Sequence, residues 1–436
     1  MSTRLIIRGG RLLCPATGLD LRGNVVVMGS SIALITAESV AALEGDLIID
    51  ATDCIVCPGF VDLHAHFCEP GEEHKEDLES GGRAAVRGGF TSVVTGSQTT
   101  PSVDSRAVVE HLVRRSAAVS ACRVLPMGAL TRAREGRRLS EMYDLRDGGA
   151  VCLGDGDLSV SDPALLRRAM QYARSVGLPV FEHPEDLSLA AHGVMHEGGV
   201  STRLGLVGSP AVAEEIVVLR DLALCAETGV RLHLGPVSAL GAVEAIRRAK
   251  ADGLPVTCAV TAAHLHFTDD LIAAAYGPNL RSRPPFRSSL HRDALRRAVA
   301  EGTIDAITSG HRPQSAVEKD VEFDLAEPGL IGLQTALGQT LQLVDLGHLT
   351  LIDALARLVV GPNVVLGRRP GRLAAGEVAD LVIFDPNVRQ RVEVDAEGSR
   401  ARNTPLLGQV LPGRVRCTLV NGRRVFETQD LDGASA

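Results

Sequence analysis

The chain has 436 residues and an ordinary globular make-up, 45% hydrophobic and 22% charged, enough for one large barrel domain with a small satellite. Its formal net charge of −8 leaves no basic excess to offset phosphate charge and argues against a nucleic-acid partner. No stretch is long and uncharged enough to span a bilayer, the opening Met1–Arg8 carries no apolar signal core, and nine scattered cysteines fit a reduced cytoplasmic protein.

Tryptophan is absent and aromatics make up only 3%, so the core is expected to be built of Val, Leu, Ile and Ala. From the N-terminus, Leu5–Ile7, Asn24–Met28, Ile32–Ile35 and Leu47–Ile49 are short apolar runs between glycine turns and predict strands. Cys54-Ile55-Val56-Cys57 lies in the next apolar run with no second cysteine pair, which fits plain buried thiols better than a zinc knuckle. The middle of the chain then alternates apolar runs with amphipathic stretches. Cys54–Leu63, Thr91–Thr95, Arg123–Met127, Ala150–Leu153, Pro179–Glu182, Arg231–Leu234, Pro255–Val260 and Ile304–Thr308 predict eight strands, with helices such as Pro163–Val176 and Ala239–Ala251 between them. Asp380–Phe384 and Val415–Phe426 return to β segments, and Asp430–Ala436 reads as a frayed tail. The expected fold is α/β: a (β/α)8 TIM-type barrel over 54–365, with a small β-sandwich domain built jointly by 1–53 and 366–436.

His64-Ala65-His66 ends the first predicted barrel strand, after Pro58–Leu63 and before Glu69-Pro70-Gly71. Residues two apart on a strand point to one face, and catalytic groups of such barrels stand at the carboxyl ends of strands. The pair is therefore placed to share one metal ion at about 2.0–2.1 Å. Together with Gly88-Gly89-Phe90-Thr91, Gly193–Gly205, Pro210–Asp221, Asn279–Arg287 and Asn403-Thr404-Pro405, this motif makes the chain resemble the barrel-type bacterial dihydroorotases of the amidohydrolase superfamily over nearly its whole length. Members of that family close and hydrolyse the dihydroorotate ring in pyrimidine synthesis, using one or two zinc ions.

The resemblance implies a metal set of His64, His66, Asp155 and His183, with Asp157 as the alternative acid in Leu153-Gly154-Asp155-Gly156-Asp157. It also implies two losses. Where the family has a further histidine ligand, His233-Leu234-Gly235-Pro236 places Pro236; where it has the aspartate that serves as ligand and acid/base, Thr308-Ser309-Gly310-His311 places Gly310. Substrate-contact positions fall on Cys68, Gln98, Asn279 and His311, with Cys68 replacing an arginine and Gln98 an asparagine. A thiol lacks the two parallel donors that hold a carboxylate. No lysine stands near Asp155 to supply a carbamylated bridge. A nucleophilic role for Cys68 has no neighbouring base in the sequence to support it. His233, His264 and His266 fall near strand ends, either as replacement ligands or as hydrogen-bonded core histidines.

Three readings follow. In the first, hydrolysis has been abandoned on a kept fold, and the chain is a structural companion of aspartate carbamoyltransferase, a partner the resemblance implies. The second is an active cyclic amidohydrolase with a single zinc on His64, His66 and Asp155. The third is an active dihydroorotase with His233 as a stand-in ligand. Zinc is expected at one ion at most, weakly held, or not at all, in a homo-oligomer without nucleic-acid or membrane contact.

Overall fold

The computed structural model describes residues 4–190, 192–393 and 398–428; the tail expected to fray, 430–436, lies outside them. Eight parallel strands follow one another around a barrel: Phe60–Ala65, Phe90–Thr95, Arg123–Gly128, Cys152–Leu153, Val180–Glu182, Leu232–Leu234, Val256–Thr261 and Ala306–Thr308. Each overlaps a predicted strand. The ring closes where Ala65 bridges His311 in parallel and the His66 amide donates to the His311 carbonyl at 2.8 Å. Side chains inside the barrel, among them Val61, Leu63, Val94, Leu125, Met127 and Phe181, form one apolar cluster, and a larger cluster lies between the strands and the surrounding helices. Pro163–Val176 is a helix as expected, capped by the Asp162 side chain at its start and by left-handed Gly177 at its end.

The predicted run Cys54–Leu63 divides in the structure. Ile55–Pro58 pairs antiparallel with Leu381–Arg391 and parallel with Arg4–Cys14, whereas Phe60 starts the barrel. Gly59 allows the handover, because a Cβ there would stand 2.1 Å from Thr91 Cγ2. Both termini thus join in one eight-stranded sheet, Arg4–Cys14, Leu19–Met28, Ser31–Thr36, Leu47–Asp50 and Ile55–Pro58 from one end, Leu381–Arg391, Val410–Val420 and Arg423–Glu427 from the other. The last two strands form a hairpin on Asn421-Gly422, both at positive φ, as a tight two-residue turn requires. Aliphatic residues fill most of the core, but phenylalanine takes the junction between the two units. Phe60 meets Phe90 at 5.7 Å and Phe384 of the terminal sheet at 6.3 Å, centroid to centroid. Cys54 and Cys57 are buried free thiols.

A second link ties the first barrel strand to the last. Asp62, fully buried, accepts from Ser309 twice, Oδ1 from the amide at 2.7 Å and Oδ2 from the hydroxyl at 2.6 Å. Replacing it as Asp62→Ala strands two buried donors, and urea unfolding is expected to register a loss of about 2–4 kcal/mol. An unchanged midpoint would mean that water replaces the carboxylate.

Candidate active site

The strand ends converge on the barrel mouth, where His64 and His66 stand with ring centroids 5.5 Å apart. One small cavity is walled by His64, His66, Gln98 and His183. Burial, then the neighbouring His183, pushes the His64 ring down to about 3, and burial, then Arg312, drives His66 well below the ordinary range. Both rings are therefore neutral at pH 7, as ligands must be. His183 is buried, and both its nitrogens lack a hydrogen-bond partner among the described residues; Glu185 Oε2 stands 3.8 Å away.

The other members of the expected metal set turn elsewhere. Asp155 is buried and faces Thr131, its oxygens accepting from the Thr131 amide at 3.0 Å and hydroxyl at 2.5 Å. It does not line the histidine cavity. Asp157 accepts from Arg312 at 3.0 Å and from Arg134, with Arg283 at 4.0 Å. Burial opposes its charge, but the guanidiniums of Arg312 and Arg134 hold its carboxyl far below the usual carboxylate range. The Gln98 amide nitrogen lies against the His66 ring, 2.5 and 2.8 Å from its two nitrogens. Cβ atoms built on Gly96 and Gly156 would collide with the Gln98 side chain, so the longer arm occupies the space beside the ligand. Among the described residues no group of three or more His, Cys, Asp or Glu side chains is arranged to hold a metal ion. Three histidines converge with the buried Glu182 on one cavity wall, but burial, with Asp221 nearby, pushes the Glu182 carboxyl well above its ordinary range, and Glu185 is taken by Arg283. The donor set does not fit a catalytic metal site, which needs about three convergent protein ligands.

A second cavity holds Pro236 and Gly310 together with His64, His264, Arg283 and Arg312. The proline ring offers neither donor nor ligand. Gly310 has φ +60°, and its Cβ would stand 2.7 Å from Thr261 Cγ2. The two cavities measure about 30 and 20 Å³, room for a water or two, against the several hundred Å³ of an ordinary ligand pocket. Of the expected substrate contacts, only Gln98 reaches these walls. His311 is buried, with Nε2 3.4 Å from Glu76 Oε2 and Nδ1 accepting from the Gly332 amide at 3.2 Å. Asn279 lies in a separate helical turn, Pro278–Leu280. Cys68 lines a neighbouring small cavity with His66 and Gln98, and burial followed by Glu72 pushes its thiol up to about 12. It is a protonated thiol at neutral pH, unsuited to nucleophilic attack.

The three uncommitted histidines have partners. His233 Nδ1 meets Thr257 Oγ1 at 2.9 Å, His264 meets Thr261 Oγ1 at 2.7 Å and the Pro284 carbonyl at 3.0 Å, and His266 Nε2 meets the Gln339 carbonyl at 2.8 Å. The residues that sequence reasoning missed are Arg134, Arg283, Arg312 and Glu185. They come from four separate loops, and no spacing in the sequence connects them.

Eight parallel strands with an HxH pair at the mouth and a sheet made by both chain ends define an amidohydrolase-type barrel. It superposes on L-hydantoinase from Arthrobacter aurescens with a TM-score of 0.87, over 98% of this chain and 96% of that one; at 24% identity this is a likeness of fold. A family profile described as dihydro-orotase-like matches residues 53–240. Dihydroorotase from Anaeromyxobacter dehalogenans strain 2CP-1 is 46% identical over 433 residues, 99% of this chain and 100% of the relative. That of Pelobacter propionicus is 42% identical over 97% of this chain and 99% of the relative. The chain belongs to the dihydroorotase-like family. No helix among the described residues is long and apolar enough to cross a membrane.

Proposed function

We propose that this chain is a dihydroorotase-like protein of pyrimidine synthesis that has given up hydrolysis and serves in the cytoplasm, as a homo-oligomer, as a structural partner of aspartate carbamoyltransferase. The observation that carries the reading is Gly310, at the position where the family resemblance calls for the acid/base, opening on a cavity of about 30 Å³. Glycine can neither accept the proton of an attacking water nor bind a metal. The orientation of Asp155 toward Thr131 and the wedging of Gln98 against His66 support the same reading. What remains is a barrel with an intact apolar core, and a kept fold does not by itself carry a kept activity.

A second reading, an active cyclic amidohydrolase, is favoured by the full-length likeness to proteins named dihydroorotase. One experiment separates the two. A tagged chain is co-expressed with the transcarbamoylase of the same genome, and the purified material is assayed for dihydroorotate hydrolysis with added zinc. The transcarbamoylase is expected to co-purify, with no turnover by the chain alone. Hydrolysis at an ordinary enzymatic rate, on the order of 1–10³ s⁻¹, would overturn the proposal.

A further inference from the structure

Five of the eight strands end in loops that send a charged side chain to the same place. Arg134 follows the third strand, Asp157 the fourth, Glu185 the fifth, Arg283 the seventh and Arg312 the eighth. Asp157 Oδ2 accepts from Arg312 Nη2 at 3.0 Å and lies 4.0 Å from Arg283 Nη1, while Oδ1 takes a short bond from Arg134. Arg283 Nε donates to Glu185 Oε2 at 2.5 Å, and Glu185 in turn stands 3.8 Å from His183. Arg134 Nε also donates to the Asp155 carbonyl at 2.9 Å. Three guanidiniums face the two carboxylates of Asp157 and Glu185, and Arg134 also acts on the buried Asp155 carboxyl. His64, Arg283 and Arg312 line a single cavity, which puts two of the guanidiniums beside one of the histidines a metal ion would need.

We propose that Arg134, Arg283 and Arg312, gathered on Asp157 and Glu185, form a metal-independent ion-pair lock that pins the loops of the barrel mouth and supplies from side chains the positive charge a metal centre would bring. The lock rests on the non-catalytic reading of the site, but it stands on its own measurements. A partly buried network in which Asp157 accepts from two guanidiniums and Arg134 donates twice is the setting in which ion pairs matter, unlike isolated surface pairs. Arg283 and Arg312, on the wall beside His64, oppose a divalent cation at close range.

The test uses the full chain, thermal unfolding and metal content after dialysis. The unaltered protein is expected to melt at the same temperature, within about 1 °C, with zinc sulfate or with chelator, and to retain less than about a tenth of an equivalent of zinc. Asp157→Asn leaves three guanidiniums short of an anion and is expected to lower the melting temperature by about 3–5 °C. Adding Arg312→Met to it is expected to lower the temperature by less than the sum of the single changes, because the two residues share one interaction. Should Asp157→Asn not fold, Arg312→Met alone carries the comparison, with a loss of about 1–3 °C expected. A stoichiometric zinc that raises the melting temperature of the unaltered protein would overturn the lock, as would single variants that melt like the parent. Dihydroorotate turnover by a zinc-free protein would instead sink the proposed function and leave the lock standing.

Discussion

Between pH 7 and pH 5 the folded protein is expected to lose about 6 kcal/mol of stability through three buried histidines. Burial is the first cause in each case. It pushes His233 down to about 3, with Lys250 adding to the effect, and holds His264 and His266 at about 4 despite their carbonyl partners. In the unfolded chain the same rings titrate near 6.5. Above 6.5 they are neutral in both states, and their contribution to stability is fully present. As the pH falls below 6.5 the unfolded chain takes up protons that the fold refuses, so stability falls until the folded rings titrate in turn, near 4 for two of them and near 3 for His233. At pH 5 the difference is about 2 kcal/mol for each ring, large against a typical total of about 5–15 kcal/mol. Urea midpoints across pH 5–8 carry this contribution together with those of the other buried groups, and His266→Gln is expected to remove about 2 kcal/mol of the difference between pH 7 and pH 5 relative to the parent. A flat profile would mean that the native protein takes up these protons as readily as the unfolded chain does.

Restoring the missing acid as Gly310→Asp is expected to leave dihydroorotate hydrolysis undetectable and to destabilise the protein by about 1–3 kcal/mol. The backbone at 310 is left-handed, and the new Cβ would stand 2.7 Å from Thr261 Cγ2 inside the packed strand Val256–Thr261. Its carboxylate would enter a cavity lined by Arg283 and Arg312, and an ion pair with a guanidinium is a poor state for a general base. An acid/base typically supplies about 10²–10⁴ in rate, so a working remainder of the site would reveal itself by a rise of that size in a sensitive assay. Such a rise from the single change would show that the rest of the machinery survives. Its absence, with Pro236→His added as well, would place the defect in the whole mouth and not in one residue.

Much of the architecture was legible because the local signals agree. The barrel strands are apolar runs bounded by turns, and Pro163–Val176 carries an Asp at one end and a glycine at the other, as its caps require. The handover at Gly59 was hidden, since Ile55–Pro58 and Phe60–Leu63 are equally apolar and hydropathy does not tell which sheet a strand will join. In the site, His64, His66 and His183 do share one cavity. That neither Asp155 nor Asp157 lines it was not readable, because their orientations depend on Thr131 and on three arginines from other loops. Phenylalanine at the junction of the two units escaped for a similar reason: composition says how many rings there are, not where they gather.

The pairing of residues 55–58 with residues 381–384 also has a consequence for how the protein is made. A ribosome adding about 5–20 residues per second needs roughly 15–65 s to travel from one partner to the other. Throughout that interval the nascent Ile55-Val56-Cys57-Pro58 segment has only part of its lateral pairing, from Arg4–Cys14. Emerging polypeptide must therefore keep a sticky apolar edge out of trouble until residues 381–384 deliver its mate, so premature termination before residue 381 yields a product primed for aggregation.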